Sequence, residues 1–174
     1  MSAYVSKTVL ILLVFIAVSC NPANPDVSQD LEDSFRKSVH INNLNVDFLI
    51  SVELDDGEEL ENGSDIRVRL ENISRHEILF SSALGNELYM IENNSWVQVQ
   101  NLNKYYGTGS PLILKSEHQI DNKITSGVRP FLPEAINLEG YKAILRILMV
   151  GELLEDGART GTLTGAYADV FIRP

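Results

Sequence analysis

The chain has 174 residues, and 24 acidic against 14 basic side chains give it a formal net charge of −10. This excess of negative charge disfavours nucleic acid and anionic lipid headgroups as partners, because both carry the same sign. The length fits one domain, and 44% hydrophobic residues can supply its core. A single cysteine excludes an intrachain disulfide and a zinc site with paired cysteines.

The first twenty residues have the pattern of a secretory signal. A polar start containing Lys7 precedes an unbroken apolar run from Val9 to Val18. This run is too short to cross a bilayer, which needs about 20 apolar residues. A basic start, a short apolar run and then small residues are typical of a cleaved signal peptide. We therefore predict that residues 1–19 are removed.

The segment Ala17-Val18-Ser19-Cys20 resembles the bacterial lipobox. The resemblance implies that Cys20 is acylated, becomes the first residue of the mature chain and holds it on a membrane through its acyl chains. Two or more acyl chains anchor a protein stably, whereas one binds only marginally. Asn21, in place of Asp, implies the outer membrane in a cell that has one. The alternatives are an ordinary signal peptide with a coincidental cysteine, or a reactive thiol, which needs neighbours that lower its pKa.

Residues 20–43 have the composition of a polar linker, with two early prolines and few large apolar side chains. Within them Val27, Leu31, Phe35 and Val39 recur at every fourth position. This spacing predicts a short helix between residues 26 and 38. A stripe this narrow fits a frayed helix on a flexible tether as well as it fits a packed element.

Alternation of apolar and polar residues begins at Leu44 and predicts a series of short strands. Asn93-Asn94 predicts a hairpin turn because Asn tolerates positive φ. Residues 127–137 are expected to be irregular, and residues 153–165 to form a turn-rich connection. The predicted strands are 44–54, 64–74, 76–82, 86–92, 95–100, 111–116, 118–124, 140–150 and 166–174. Short strands without a convincing internal helix predict an all-β sandwich.

The order of these segments resembles the bacterial immunoglobulin-like domains of secreted and lipid-anchored proteins, over residues 44–174. Trp96 stands just past a hairpin turn, and Glu139-Gly140-Tyr141 before an apolar strand resembles the tyrosine corner. The disulfide pair of antibody domains is absent. The resemblance implies an immunoglobulin-like antiparallel sandwich of about 7–9 strands. It implies no particular activity, because such domains serve many functions.

An acidic connection after the first strand contains the candidate metal ligands Asp55, Asp56, Glu58 and Glu61. Calcium takes six to eight oxygen ligands, so these carboxylates are the ones to consider. Their spacing does not follow the helix–loop–helix calcium motif, and a solvated turn has the same composition. We therefore predict neither a metal site nor a cofactor.

Tyr105 and Tyr106 are the candidate partner contacts, because exposed aromatic side chains on loops often bind partners. The alternative is that one ring packs against the edge of the sandwich. The three histidines, His40, His76 and His118, lack metal-site spacing and are expected at the surface. The chain has no Gly-x-Ser-x-Gly motif, so no catalytic residue is predicted.

The sequence thus predicts a lipid-anchored, extracytoplasmic immunoglobulin-like domain of the bacterial envelope. Its expected role is structural or protein-binding, without catalysis. One alternative is an inhibitor or accessory subunit of an envelope enzyme. The other is a small envelope hydrolase or a calcium-dependent carbohydrate-binding module, either of which needs a concave site with converging polar groups.

Overall fold

A computed structural model of the chain describes residues 27–54, 59–81, 86–102, 111–132 and 143–173. These residues form one helix and twelve strands, which confirms the all-β class. In chain order they are α1 (Gln29–Val39), β1 (Asn43–Leu44), β2 (Phe48–Glu53), β3 (Leu60–Glu61), β4 (Ile66–Asn72), β5 (Glu77–Phe80), β6 (Asn86–Glu92), β7 (Ser95–Asn101), β8 (Leu112–Leu114), β9 (Lys123–Val128), β10 (Pro130–Phe131), β11 (Ala143–Glu155) and β12 (Ala158–Arg173). Within the described ranges, no helix has the length and apolarity to span a bilayer.

The strands form two sheets in a sandwich-like arrangement. The larger sheet has the order β1-β12-β11-β6-β7-β10, with β3 also paired to β12, β5 to β11, and β8 to β5. The smaller sheet has the order β2-β4-β9 and is antiparallel throughout. In the larger sheet β1 and β3 run parallel to β12, and the other pairs are antiparallel.

The main core lies between the two sheets and takes alternate residues from each. In β4, Ile66, Val68 and Leu70 are buried while Arg67 and Arg69 are exposed. This is the alternation that the sequence showed, because successive side chains of a strand point to opposite faces. The larger sheet contributes the buried residues Leu88, Met90, Val99, Ala143, Leu145, Ile147, Met149, Ala166, Val170 and Ile172.

Strand β11 is covered on both faces. Leu145 and Ile147 point into the main core, and Leu148 and Val150 point to the opposite side, into a second cluster that includes Phe35. A strand buried on both faces has a nearly continuous apolar sequence rather than a strict alternation. This explains the run Ala-Ile-Leu-Arg-Ile-Leu-Met-Val at 143–150.

Two tight turns determine the pairing of the longest strands. Asn93 and Asn94 both have positive φ (48° and 61°) and join β6 to β7, as predicted. The prediction of a connection over 153–165 is wrong. Asp156 and Gly157 (φ 51° and 77°) close a two-residue turn, and Glu155 pairs with Ala158. Asp-Gly is a favoured pair for such turns, so both strands continue up to it.

The predicted strand 44–54 is divided between the two sheets. Asn45 has a left-handed backbone (φ 57°), and its side-chain oxygen accepts the N–H of Tyr167 at 2.9 Å. The chain turns there from β1 in the larger sheet to β2 in the smaller one. Val46, predicted to share the buried face, is consequently 60% exposed.

The structure also corrects the boundary of the predicted flexible linker. Within residues 20–43, the segment Gln29–Val39 is a helix that packs on the outer face of the larger sheet, with Leu31 and Phe35 buried. Of the two alternatives for this stripe, the packed element is the one observed. The folded body therefore begins before Leu44, which was the predicted start of the domain. Tyr141 of the tyrosine-corner motif lies outside the described residues.

Candidate functional site

Helix α1 has charges that suit its ends. Asp30 and Glu32 lie in the first turn, and Arg36 and Lys37 lie in the last. Negative charge at the start of a helix and positive charge at its end both interact favourably with the helix dipole. Glu32 also binds Arg36 one turn later, with Nε and Oε1 3.0 Å apart. These interactions within the helix are too weak to keep an isolated helix of eleven residues folded. The stability of α1 therefore depends on its packing against the sheet.

That packing centres on the ring of Phe35, which is fully buried. Its centroid lies 5.2 Å from that of Tyr89, 5.4 Å from that of Trp96 and 5.5 Å from that of Tyr167. The edge-to-face arrangement with Tyr89 and Tyr167 is the favoured geometry for aromatic pairs. Trp96 also donates its Nε1–H to the carbonyl of Leu31 at 2.9 Å.

A buried arginine lies next to this ring. Arg146, on β11, is only 1% exposed. Its Nε and Nη2 donate to the two carboxylate oxygens of Asp169 on β12 at 2.7 and 2.6 Å. Its Nη1 donates to Oε2 of Glu32 on α1 at 2.8 Å. Arg146 and Asp169 are direct cross-strand neighbours, so the pairing of β11 with β12 brings them together.

Three aromatic rings enclose the guanidinium. The central carbon of Arg146 lies 4.5 Å from the ring centroid of Phe35, 4.2 Å from that of Trp96 and 4.0 Å from that of Tyr167. Each distance is within the range of a cation–π interaction. We call this set the Arg146 cluster; its members are Arg146, Asp169, Glu32, Phe35, Trp96 and Tyr167.

The charges of the cluster stabilise one another. Burial alone lowers the pKa of Arg146, but the bonds to Asp169 and Glu32 outweigh burial and raise it. Burial alone raises the pKa of Glu32, yet the hydrogen bond from Tyr167 and the charge of Arg146 lower it. The pKa of Tyr167 is raised by burial and by its bond to Glu32. Arg146 and Glu32 are therefore charged, and Tyr167 is protonated, at neutral pH.

This arrangement holds α1 on the sheet rather than presenting a site to a small molecule. Arg146 has almost no exposed surface, and its two carboxylate partners come from the protein itself. The described surface also has two shallow depressions. One, of about 320 Å³, lies over β6 and β7, and the other, of about 510 Å³, lies beside α1. Both are open to solvent.

The outer face of the smaller sheet presents a different chemistry. Arg67 and Arg69 lie two residues apart on β4 and are exposed. Arg69 lies between Ser51 and Thr125 of the neighbouring strands. In the described part of the chain neither arginine forms an ion pair, whereas Lys123 on the same sheet is bound to Glu71. Arg67 lies directly opposite Glu53 of β2, without an ion pair between them. Three basic and two acidic side chains therefore give this face a small excess of positive charge in an acidic protein.

Most residues singled out from the sequence lie outside the described ranges. These are Cys20, Asp55, Asp56, Glu58, Tyr105 and Tyr106. Glu61 lies exposed on β3. Among the described residues, no three His, Cys, Asp or Glu side chains come together to hold a metal ion. The prediction that His40, His76 and His118 lie at the surface is confirmed, since all three are exposed.

The sequence did not single out the Arg146 cluster. Two signals pointed toward it. One was the four-residue spacing of Leu31 and Phe35, and the other was the lone arginine in the apolar run of β11, which a buried carboxylate must accompany. The partners themselves could not be read from the chain, because Glu32 and Arg146 are 114 positions apart.

Comparison with known proteins adds little to this description. No model of a protein family matches the chain, and no curated protein matches it. Six chains of solved structures do. One is the sporulation control protein Spo0M from Bacillus subtilis, with 9% sequence identity and a TM-score of 0.31 over 73% of this chain. The match covers 49% of Spo0M, so the chain spans about half its length. We draw no conclusion from a similarity this low.

Proposed function

We propose that this chain is a bacterial lipoprotein whose immunoglobulin-like sandwich has a structural or protein-binding role at the cell envelope, without catalysis. The observation that carries the proposal is the position of the lone cysteine, Cys20, which ends an apolar run too short to span a bilayer. Under this proposal residues 1–19 are the signal peptide, and acyl chains on Cys20 bind the membrane.

Under this proposal the docking of α1 limits the distance between the folded body and the anchor. Val27 is the first described residue, and it is seven positions after Cys20. Seven residues span at most about 25 Å, even when fully extended. An acylated Cys20 would therefore keep Val27, just before the start of α1, within about 25 Å of the anchor.

Mass spectrometry of the amino-terminal peptide from native membranes tests the anchor. We expect a chain that starts at Cys20 and carries a diacylglyceryl group on sulfur. The matched control is Cys20→Ser, which removes the acceptor sulfur and should carry no thioether-linked lipid. An unmodified chain that starts at Met1 would contradict the proposal.

The binding role would use the outer face of the smaller sheet, where the exposed Arg67 and Arg69 outweigh Glu53, the neighbour of Arg67, and suit an acidic protein surface. Arginine is enriched at protein interfaces, and complementary charge speeds association. Tyr105 and Tyr106 remain predicted contacts. A partner captured by crosslinking in native envelopes should be lost from the variant Arg67→Glu/Arg69→Glu.

The matched control for this experiment is Lys37→Glu/Arg75→Glu, which changes the net charge equally at exposed positions elsewhere. Capture by this control should equal capture by the wild type. If both double variants lose the partner equally, overall charge rather than this face determines binding. If neither loses it, the smaller sheet is not the binding face.

A further inference from the structure

Helix α1 contacts the larger sheet in the way that a separate helical ligand contacts its binding site. Among the described residues the side chains of Glu32, Phe35 and Val39 make these contacts, with a weaker contact from Arg36 to the Tyr167 hydroxyl at 3.5 Å. The only backbone group of α1 that binds the sheet in this set is the Leu31 carbonyl, held by Trp96. The helix is thus recognised by side chains, as in helix-in-groove binding.

The sheet's half of this site has contacts of its own that do not involve α1. Arg146 and Asp169 hold each other through two hydrogen bonds across β11 and β12. Trp96 and Tyr167 lie on β7 and β12, whose positions are set by strand pairing. A site built on paired strands is held more precisely than one built on loops. What α1 adds is a carboxylate and, three residues later, an aromatic ring.

The connection from α1 to the body is short and contains an unfavourable backbone. Only residues 40–42 separate α1 from β1. His40 ends the helix in the left-handed conformation, with φ 53° and ψ 32°. This conformation is uncommon for residues other than glycine, so straightening the connection relieves it. Short hinge loops under strain favour the exchange of identical elements between copies.

We propose that the site on the larger sheet accepts α1 from a second copy of this chain, so that two copies exchange helices and form a dimer. Each Arg146 would then bind Glu32 of the partner copy, and each Trp96 and Tyr167 would enclose its Phe35. The α1 helix of a second copy has the same sequence as the chain's own α1, so it can make the same contacts in the site. The balance between the two forms is set by the connection 40–42 and by protein concentration. This exchange does not depend on the lipid anchor.

The single tryptophan of the chain makes the exchange measurable. The acceptor is the full chain with Phe35→Ala, which loosens its own α1 and leaves the site on the sheet intact. The donor is the full chain with Trp96→Phe, which has an intact α1 and no tryptophan emission. Loss of the bond from Trp96 to Leu31 also helps the donor to release its helix. Both are kept in the same mild detergent.

We expect that adding the donor shifts the emission of the acceptor's Trp96 to shorter wavelength, because the incoming Phe35 ring covers it. Native mass spectrometry should show a species of one donor and one acceptor, in proportion to the shift. The matched control donor is Trp96→Phe/Phe35→Ala, which shares every feature except the anchoring ring. It should cause neither change.

Three outcomes would overturn the proposal. The first is no shift at the highest concentration at which both chains stay soluble. The second is an equal shift with the control donor. The third is a shift with a synthetic peptide of residues 27–42 but none with the full donor, which would mean that the connection prevents exchange. Circular dichroism of the acceptor verifies that its strands are intact, and Leu31→Ala replaces Phe35→Ala where they are not.

Discussion

At the scale of single residues, Arg146 is the most consequential side chain described. A buried guanidinium is tolerated only when carboxylates compensate it, and here Asp169 and Glu32 do so with three hydrogen bonds of 2.6–2.8 Å. Removing one member of a buried ion pair leaves the other charged and desolvated. The cost of that change is larger than the net contribution of the pair.

Arg146→Met should therefore lower the free energy of unfolding by about 3–5 kcal/mol, the range for breaking a buried ion pair. Equilibrium urea denaturation measures this change. Arg69→Met, which changes an exposed arginine in the same way, should stay within about 0.5 kcal/mol of the wild type. The variant Arg146→Met/Asp169→Leu should lose less than the two single changes combined. If the loss in the double variant equals the sum of the two single losses, Arg146 and Asp169 do not stabilise each other.

The ionisation of Glu32 should make the free energy of unfolding depend on pH. Its pKa in the folded chain lies below the ordinary value of 4.5. A lowered pKa contributes stability above the unfolded value, and that contribution is lost as the pH falls through the folded value. We therefore expect the midpoint of urea denaturation to fall as the pH is lowered below about 4.5. Glu32→Gln should flatten part of this dependence, and an unchanged pH profile would contradict the assignment.

At the scale of elements, β11 joins the main core to the α1 side. Its neighbour β5 passes so close that Gly151 leaves no room for a side chain. A Cβ atom there would lie 2.5 Å from Cγ2 of Ile78 and 3.3 Å from the carbonyl oxygen of Leu79. The second of these is backbone, which cannot move without disturbing the pairing of β5 with β11.

Gly151→Ala should consequently destabilise the fold by about 1–3 kcal/mol, the usual cost of overpacking a core. The thermal midpoint, measured by circular dichroism, gives the change. Ser51→Ala on the exposed face of β2 is the control and should have little effect. A Gly151→Ala chain as stable as the wild type would mean that β5 does not lie where the structure places it.

At the scale of the whole molecule, the sandwich and α1 differ in how they are held. The strands share continuous backbone pairing, whereas α1 is held by a few side chains on one face of the sheet. Regions with few buried contacts open at lower free energy than the core. Local release of α1 is also the motion that helix exchange requires.

Native-state hydrogen exchange should show this difference. We expect the amides of α1 to exchange faster than those of β11 under conditions where the sandwich stays folded. Phe35→Ala should accelerate exchange in α1 while leaving β11 unchanged. Lys37→Ala, at an exposed position of the same helix, is the control. Equal protection of α1 and β11 would mean that the helix opens only when the whole fold does.

The amino-acid sequence by itself determined the all-β class, the buried and exposed faces of β4, and the turn at Asn93-Asn94. These depend on residues that are neighbours along the chain, since alternation and backbone preference act locally. The signal peptide and the lipid anchor at Cys20 are predictions that depend on the same kind of local pattern.

Only the tertiary structure decided that α1 packs on the sheet, that β11 is covered on both faces, and that Arg146 lies among three rings. Tyr167 and Glu32 meet although 135 positions separate them. Periodicity shows which face of an element is apolar, but not which distant element covers it. That choice follows from shape and charge complementarity, which exist only after the chain has folded.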